Sequence, residues 1–145
     1  MRAQQLVLTI FTAIFASSGT AQDLTAEQIA RMLVTDMSPT RAMEGGEWFT
    51  NERGTYALGI IYVHVPGSAG TVSIHAGVYG YLDSGWTKLA DVKDLYGLSP
   101  MDARFDETSV TLTTLTLGPD EPRCCPTKQI RWRVGLSDGQ AFRLN

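Results

Sequence analysis

Two adjacent cysteines, Cys124 and Cys125, are the only thiols of this 145-residue chain. In an oxidising compartment the two cysteines of such a pair form a disulfide with each other, form disulfides with another molecule, or remain unusually reduced. Consecutive Cα atoms lie about 3.8 Å apart across a trans peptide, whereas ordinary disulfides need at least about 4.4 Å. A bond between the two cysteines would therefore close a small, strained ring and shape a turn, rather than join distant segments.

Four interpretations of the pair stay open at this point. The first is a vicinal disulfide that stiffens its loop, and the second is a redox switch in which Arg123 favours the thiolate. The third is a pair of intermolecular disulfides on an exposed loop. The fourth is a metal site, but zinc usually needs two separated ligand pairs, and His64 and His75 are predicted roughly 13 Å apart. A two-thiolate Cu(I) site has no specific support in the spacing, so no metal and no other cofactor is predicted.

A proline-rich loop between two predicted strands carries the cysteines. Proline fixes φ and removes a backbone donor, so the loop cannot continue the hydrogen-bond ladder of either strand. Pro126 also favours extended geometry at the residue before it. The residues expected to shape the loop are Gly118, Pro119, Asp120, Pro122 and Pro126.

The segment from Leu89 to Val134 resembles one found in uncharacterised exported bacterial proteins, which carry a motif close to Gly-Pro-Asn-Asp-Pro-x-Cys-Cys-Pro-Thr. The matching residues here are Gly118, Pro119, Asp120, Pro122, Cys124, Cys125, Pro126 and Thr127. Glu121 and Arg123 depart from the commonest form of the motif. The resemblance covers about a third of the chain, and it implies an exported bacterial protein without implying any activity.

Residues 1–21 have the features of a cleaved signal peptide. Arg2 precedes an apolar run from Leu6 to Phe15, and Gly19-Thr20-Ala21 has the small-x-small pattern of a cleavage site. We expect the cut before Gln22. A membrane anchor is the alternative, but the run is shorter than the ~20 apolar residues that a spanning helix needs. The sequence therefore predicts a periplasmic or secreted protein with no membrane span after cleavage.

The remaining residues, 22–145, are predicted to form a single domain. Without Arg2 they carry 11 basic and 15 acidic side chains, a net charge of −4. A mildly acidic chain gives no whole-molecule reason to bind nucleic acid or an anionic membrane.

The pattern along the domain predicts an α+β fold. Thr25 and Gln28 form a capping box for a helix that is expected to end near Asp36. Strands are predicted at Tyr56–Val65, Thr71–Leu82, Gly85–Val92, Met101–Phe105, Ser109–Leu117 and Gln129–Leu136. Short connections favour a mainly antiparallel sheet of about six strands with the N-terminal helix packed on it, and a small β-barrel or sandwich is the alternative.

Two local features of these strands are also predicted. A four-residue loop, Pro66–Ala69, would place Val63 opposite Val72. This register is preferred because a loop one residue longer would pair the wrong faces of the two strands. The apolar side chains of Ser109–Leu117 change face midway, which predicts a bulge near Thr113-Thr114.

The last hairpin carries several cations. A three-residue turn at Ser137–Gly139, with Gly139 left-handed, would place Arg133 opposite Arg143 on the face that also holds Arg131. Facing like charges destabilise a sheet, so this face is a candidate site for an anionic partner. The alternative is neutralisation by acidic residues of nearby loops, namely Asp102, Asp106, Asp120 or Glu121.

No catalytic constellation is recognisable. The pair Asp106-Glu107 falls at a predicted turn, where aspartate is favoured for local hydrogen bonding. We therefore expect a non-enzymatic periplasmic or secreted binding or structural module with a rigid vicinal-cysteine loop. Its expected partner is an envelope component or another exported protein. The alternative function is a thiol-redox protein that uses Cys124 and Cys125.

Overall fold

The computed structural model describes residues 23–37, 43–68 and 71–145. The predicted signal peptide, its cleavage before Gln22 and residue Ala69 of the predicted hairpin loop lie outside these residues. The described chain contains one helix and eight strands: α1 (Ala26–Met37), β1 (Met43–Thr50), β2 (Tyr56–His64), β3 (Val72–Leu82), β4 (Gly85–Asp91), β5 (Leu98–Phe105), β6 (Ser109–Thr116), β7 (Lys128–Gly135) and β8 (Ala141–Arg143).

The strands form two four-stranded antiparallel sheets, ordered β1-β2-β3-β4 and β5-β6-β7-β8. The prediction of one sheet of about six strands is therefore wrong, although the antiparallel pairing and the helix packed on a sheet are confirmed. Each sheet is a meander, so each strand pairs with its neighbour in sequence. Strand β1, which was not predicted from the sequence, lies at the edge of the first sheet.

A single apolar core lies between the two sheets. The first sheet contributes alternate residues of β2 and β3, such as Leu58, Ile60 and Val78, and all three are buried. The second sheet contributes alternate residues of β6 and β7, including Leu112 and Trp132. Burial of aliphatic and aromatic side chains at about 25 cal/mol per Å² of apolar surface is the main force that holds the sheets together.

A second, smaller core lies under α1, on the other face of the first sheet. Leu33 of the helix is 1% exposed and packs with Ile61 and Tyr79. Gly59 and Gly77 face each other across β2 and β3, and an added Cβ at Gly59 would lie 3.1 Å from the ring of Tyr79. The facing glycines thus leave the space that the tyrosine ring fills.

The predicted start of the helix is confirmed. The amide of Gln28 donates to the hydroxyl of Thr25 at 3.2 Å, and the amide of Thr25 donates to the side-chain oxygen of Gln28 at 2.8 Å. This reciprocal pair satisfies two donors that the first helical turn would otherwise leave unbonded.

The predicted register of the first hairpin is wrong by one residue. Val63 lies opposite Ser73 rather than Val72, and the amide of Val65 donates to the carbonyl of Thr71 at 2.8 Å. The pattern of apolar residues could not distinguish the two registers, because β2 is buried on one face by the second sheet and on the other by α1. Either alignment would have matched apolar residues with apolar residues.

The predicted bulge in β6 is also wrong. The pairing of β6 with β7 is regular throughout, and the irregular register lies in β5, where Ser99 and Asp102 have positive φ. Thr114 continues the inward-facing set of β6 and is fully buried. Leu115 therefore falls on the opposite face of the strand without any bulge.

Candidate functional site: the vicinal disulfide loop and its groove

The loop between β6 and β7 closes on a bond between neighbouring residues. Cys124 and Cys125 have their sulfurs at bonding distance, with Cα atoms 3.8 Å apart. Both residues are exposed, and the described residues contain no cis peptide. Of the four interpretations of the cysteine pair, the structure has the intramolecular disulfide.

Glu121 closes the base of this loop. Its carboxylate accepts a hydrogen bond from the amide of Gly118 at 2.8 Å and another from the amide of Thr127 at 3.0 Å. It also accepts from the hydroxyl of Thr127. The hydrogen bond from Gly118, followed by those from Thr127, holds the pKa of the Glu121 carboxyl below its ordinary value. The charged carboxylate therefore ties the two ends of the loop together.

The residues predicted to shape the loop have separate roles. The amide of Gly118 binds the closing carboxylate, and Asp120 has a left-handed φ of 67°. The carbonyl of Pro122 accepts a hydrogen bond from the amide of Cys125 at 3.1 Å. Pro119 is exposed, whereas Pro126 is half-buried and lines the groove that runs beside the loop.

An open groove of about 820 Å³ runs beside the loop. Its lining comes from both sheets, namely Thr71–Ile74 at the start of β3, Leu95–Leu98 between β4 and β5, Leu115–Leu117 at the end of β6, and Arg123, Cys124 and Pro126 of the loop. Tyr96 is 48% exposed and Leu117 is 45% exposed, although both are large and apolar. The groove therefore offers apolar surface to solvent beside a disulfide and a single guanidinium.

A buried hydrogen-bond chain fixes one wall of the groove. The hydroxyl of Thr114 accepts from Nε1 of Trp132 at 2.9 Å and donates to the carbonyl of Tyr96 at 2.8 Å. The ring of Tyr96 meets the ring of Trp132 edge-on, with centroids 4.8 Å apart. Gly97 has a φ of 106°, and a Cβ there would lie 2.7 Å from the Cβ of Thr114. Only glycine lets the chain approach Thr114 this closely.

The three arginines of the predicted anionic-partner site do not share a face. Arg131 and Arg133 are exposed on the outer face of β7, but Arg143 lies opposite Trp132, which faces the core. The predicted turn has four residues rather than three, because the amide of Gly135 donates to the carbonyl of Gln140. The register consequently shifts by one residue.

Gly139 adopts the predicted left-handed conformation, with a φ of 68°. Its carbonyl accepts a hydrogen bond from the amide of Lys93 at 2.9 Å, which links the turn to the segment that follows β4. An added Cβ at Gly139 would lie 2.9 Å from the carbonyl carbon of Asp91. This position therefore requires glycine for both its backbone conformation and its close approach.

Asp106, one of the four acidic residues expected to neutralise the arginines, is engaged in its own turn. Asp106 accepts hydrogen bonds from the amides of Thr108 and Ser109 at 2.8 and 2.7 Å, as predicted for an aspartate at a turn. These bonds, led by that from Thr108, lower the pKa of the Asp106 carboxyl. In the part of the chain that the structure describes, no salt bridge joins an acidic group to Arg131 or Arg133.

The histidines are not placed together. His64 lies opposite Val72 and His75 lies opposite Ile61, so the two rings belong to opposite faces of the first sheet. The described ranges contain no group of three or more His, Cys, Asp and Glu residues arranged to hold a metal ion.

Comparisons with protein-family models, with curated proteins and with solved structures find no match. The resemblance of the double-cysteine segment to exported bacterial proteins accordingly stays a prediction. Among the described residues, no helix has both the length and the apolar character needed to cross a bilayer.

Proposed function

We propose that this protein is an exported, non-enzymatic binding module that holds a straight-chain amphipathic carboxylate in the groove beside its vicinal disulfide loop. The observation that carries the proposal is the composition of the groove. Exposed apolar side chains line it, and the guanidinium of Arg123 stands at the loop that borders it.

The groove matches the two parts of such a ligand. Leucines and Tyr96 offer apolar surface to a hydrocarbon chain, and each buried methylene contributes about 0.8 kcal/mol. Sulfur is polarisable, so Cys124 adds favourable dispersion contacts. Arg123 supplies a planar donor for a carboxylate head group, and it has no salt-bridge partner among the described residues.

The loop is suited to binding because it is already rigid. The disulfide, three prolines and the carboxylate of Glu121 restrict its backbone before any ligand arrives. Association is weakened by the entropy of ordering a flexible wall, so a pre-formed wall improves affinity.

Calorimetric titration with octanoate and decanoate tests the proposal. Two further methylenes should tighten binding roughly five- to fifteenfold. Leu117→Asp should abolish binding, whereas Leu82→Asp, at a position of similar exposure (50% against 45%) outside the groove, should leave it intact. Arg123→Glu should weaken the binding of both carboxylates and strengthen the binding of decyltrimethylammonium, a ligand with a cationic head group. No dependence on chain length, or equal effects of the two leucine substitutions, would contradict the proposal.

A second candidate function is thiol-redox exchange, which is favoured by the exposure of both cysteines. A dithiol donor would transfer two electrons and two protons to the Cys124–Cys125 bond. This bond would break to two thiols while the donor became a disulfide. The test is the reduction potential of the purified protein. A value below about −300 mV, as in structural disulfides, would exclude this function.

A further inference from the structure

The outer face of the second sheet carries a cluster of cations and exposed apolar side chains. Arg104, Thr111, Arg133 and Phe142 follow one another across β5, β6, β7 and β8 in a single cross-strand row. Paired residues in adjacent strands point to the same side of a sheet, so all four side chains share the face opposite the core. Arg131, two residues along β7, belongs to the same face.

These cations have fixed relative positions. Arg131 and Arg133 are two residues apart on one strand, which separates their Cα atoms by about 7 Å. Arg104 and Arg133 are separated by two strand spacings, about 10 Å. Within the described ranges none of the three has a salt bridge, and two acidic residues of adjacent turns, Asp106 and Glu121, are engaged in local hydrogen bonds. The face therefore presents three guanidinium groups that form no salt bridge within the described ranges, although the protein as a whole is acidic.

Apolar side chains lie directly beside the cations. Phe142 is 59% exposed and lies opposite Arg133. Leu144 is 43% exposed, and its amide donates to the carbonyl of Arg131 at 2.8 Å. A polyphosphate has no apolar part that could cover this surface, whereas a polypeptide with both carboxylates and apolar side chains would cover it.

We propose that this arginine face, defined as Arg104, Arg131, Arg133, Phe142 and Leu144, docks an acidic polypeptide segment that also carries apolar side chains. The carboxylates pair with the guanidinium groups, and the apolar side chains pack on Phe142 and Leu144. None of these residues lines the groove, so this interaction is independent of the proposed ligand site. The molecule would then connect a small ligand to a protein partner.

Fluorescence anisotropy with labelled peptides of defined composition tests the docking. The first peptide contains repeated Glu-Glu-Leu units and the second repeated Glu-Glu-Ser units of equal charge. Combined Arg131→Glu and Arg133→Glu should weaken binding of the first peptide roughly ten- to hundredfold. Arg31→Glu combined with Lys93→Glu, two exposed positions outside both the face and the groove, serves as a control of equal charge change and should alter binding by less than about threefold.

Phe142→Ser separates a polypeptide partner from a simple polyanion. The substitution should weaken binding of the leucine-containing peptide several-fold and leave binding of the serine-containing peptide unchanged. Circular dichroism melting verifies that the variants are folded, and all these side chains are exposed. If the control pair weakens peptide binding as much as the Arg131 and Arg133 substitutions do, the proposal that this face is the docking site is overturned. Binding of heparin that is tighter than that of the leucine-containing peptide, with no effect of Phe142→Ser, would overturn the polypeptide partner.

Discussion

Replacing Thr114 with valine should destabilise the protein and loosen the groove at the same time. The hydroxyl of Thr114 joins the buried indole of Trp132 to the backbone of Tyr96. Valine has nearly the same shape but can neither accept nor donate, so the substitution removes the hydrogen bonds with little change in volume. The indole N–H would then be buried without a partner.

The expected magnitude follows from these two contacts. An unsatisfied buried donor costs about 1–3 kcal/mol, and the carbonyl of Tyr96, which is only partly buried, costs less because water can reach it. The free energy of unfolding should therefore fall by about 2–3 kcal/mol. For a domain of this size the melting temperature should fall by roughly 6–15 °C.

Urea unfolding followed by tryptophan fluorescence measures this change. Thr114→Ser keeps the hydroxyl and should cost only about 1 kcal/mol for its lost methyl. Thr111→Val is the matched control, because that hydroxyl is half-exposed on the outer face and makes only a long, 3.4 Å bond to the carbonyl of Arg104. It should change stability by less than about 0.5 kcal/mol. If Thr114→Val costs no more than Thr111→Val, the hydrogen-bond chain does not hold the groove wall.

Two further predictions concern the loop and the turns. The pKa of Glu121 is lowered in the folded state, so its contribution to loop order is complete above about pH 4.5 and is lost as the pH falls through the lowered pKa. The NMR signal of the Gly118 amide should report this titration, and Glu121→Gln should remove it; a signal that does not titrate would argue against the closure. Gly139→Ala should destabilise the protein by more than about 3 kcal/mol, since it combines left-handed strain with a clash against the carbonyl group of Asp91. Gly67→Ala has the same sign of φ but open space around it, so thermal melting should show a cost of only about 1–2 kcal/mol; equal costs for both would contradict the close approach.

Local signals in the sequence predicted local structure well. The capping box at Thr25, the turn at Asp106 and the left-handed Gly139 each depend on residues within a few positions of one another, and each is confirmed. The adjacent cysteines are a covalent example of the same kind.

Features that depend on distant packing were missed or wrong. Strand β1 has the sequence Met-Glu-Gly-Gly-Glu-Trp-Phe-Thr, which lacks apolar alternation because Trp48 packs under the helix and Phe49 packs in the core between the sheets. The separation into two sheets depends on which strands share a core, which periodicity alone does not specify. The side of the sheet on which Arg143 lies is decided by whether the preceding turn has three or four residues.

The residues around the candidate site were only partly recognisable. The cysteines and prolines stood out by type, but Glu121 was treated as a departure from the motif, whereas it closes the loop. A carboxylate three residues after a glycine and six before a threonine was the available signal. Thr114 gave none, because a buried threonine in a strand of threonines and leucines has no distinguishing neighbour in the sequence.

The chain passes from one sheet to the other once, through residues 92–97, and part of this crossing also lines the groove. An occupant would touch the first sheet, the crossing and the second sheet together, and would act as a non-covalent cross-link between the halves of the protein. At a free concentration one hundred times its dissociation constant, the ligand would add about 2.7 kcal/mol to the free energy of unfolding. If the groove holds the proposed ligand, the ligand-free protein would therefore be the form that proteases degrade more readily.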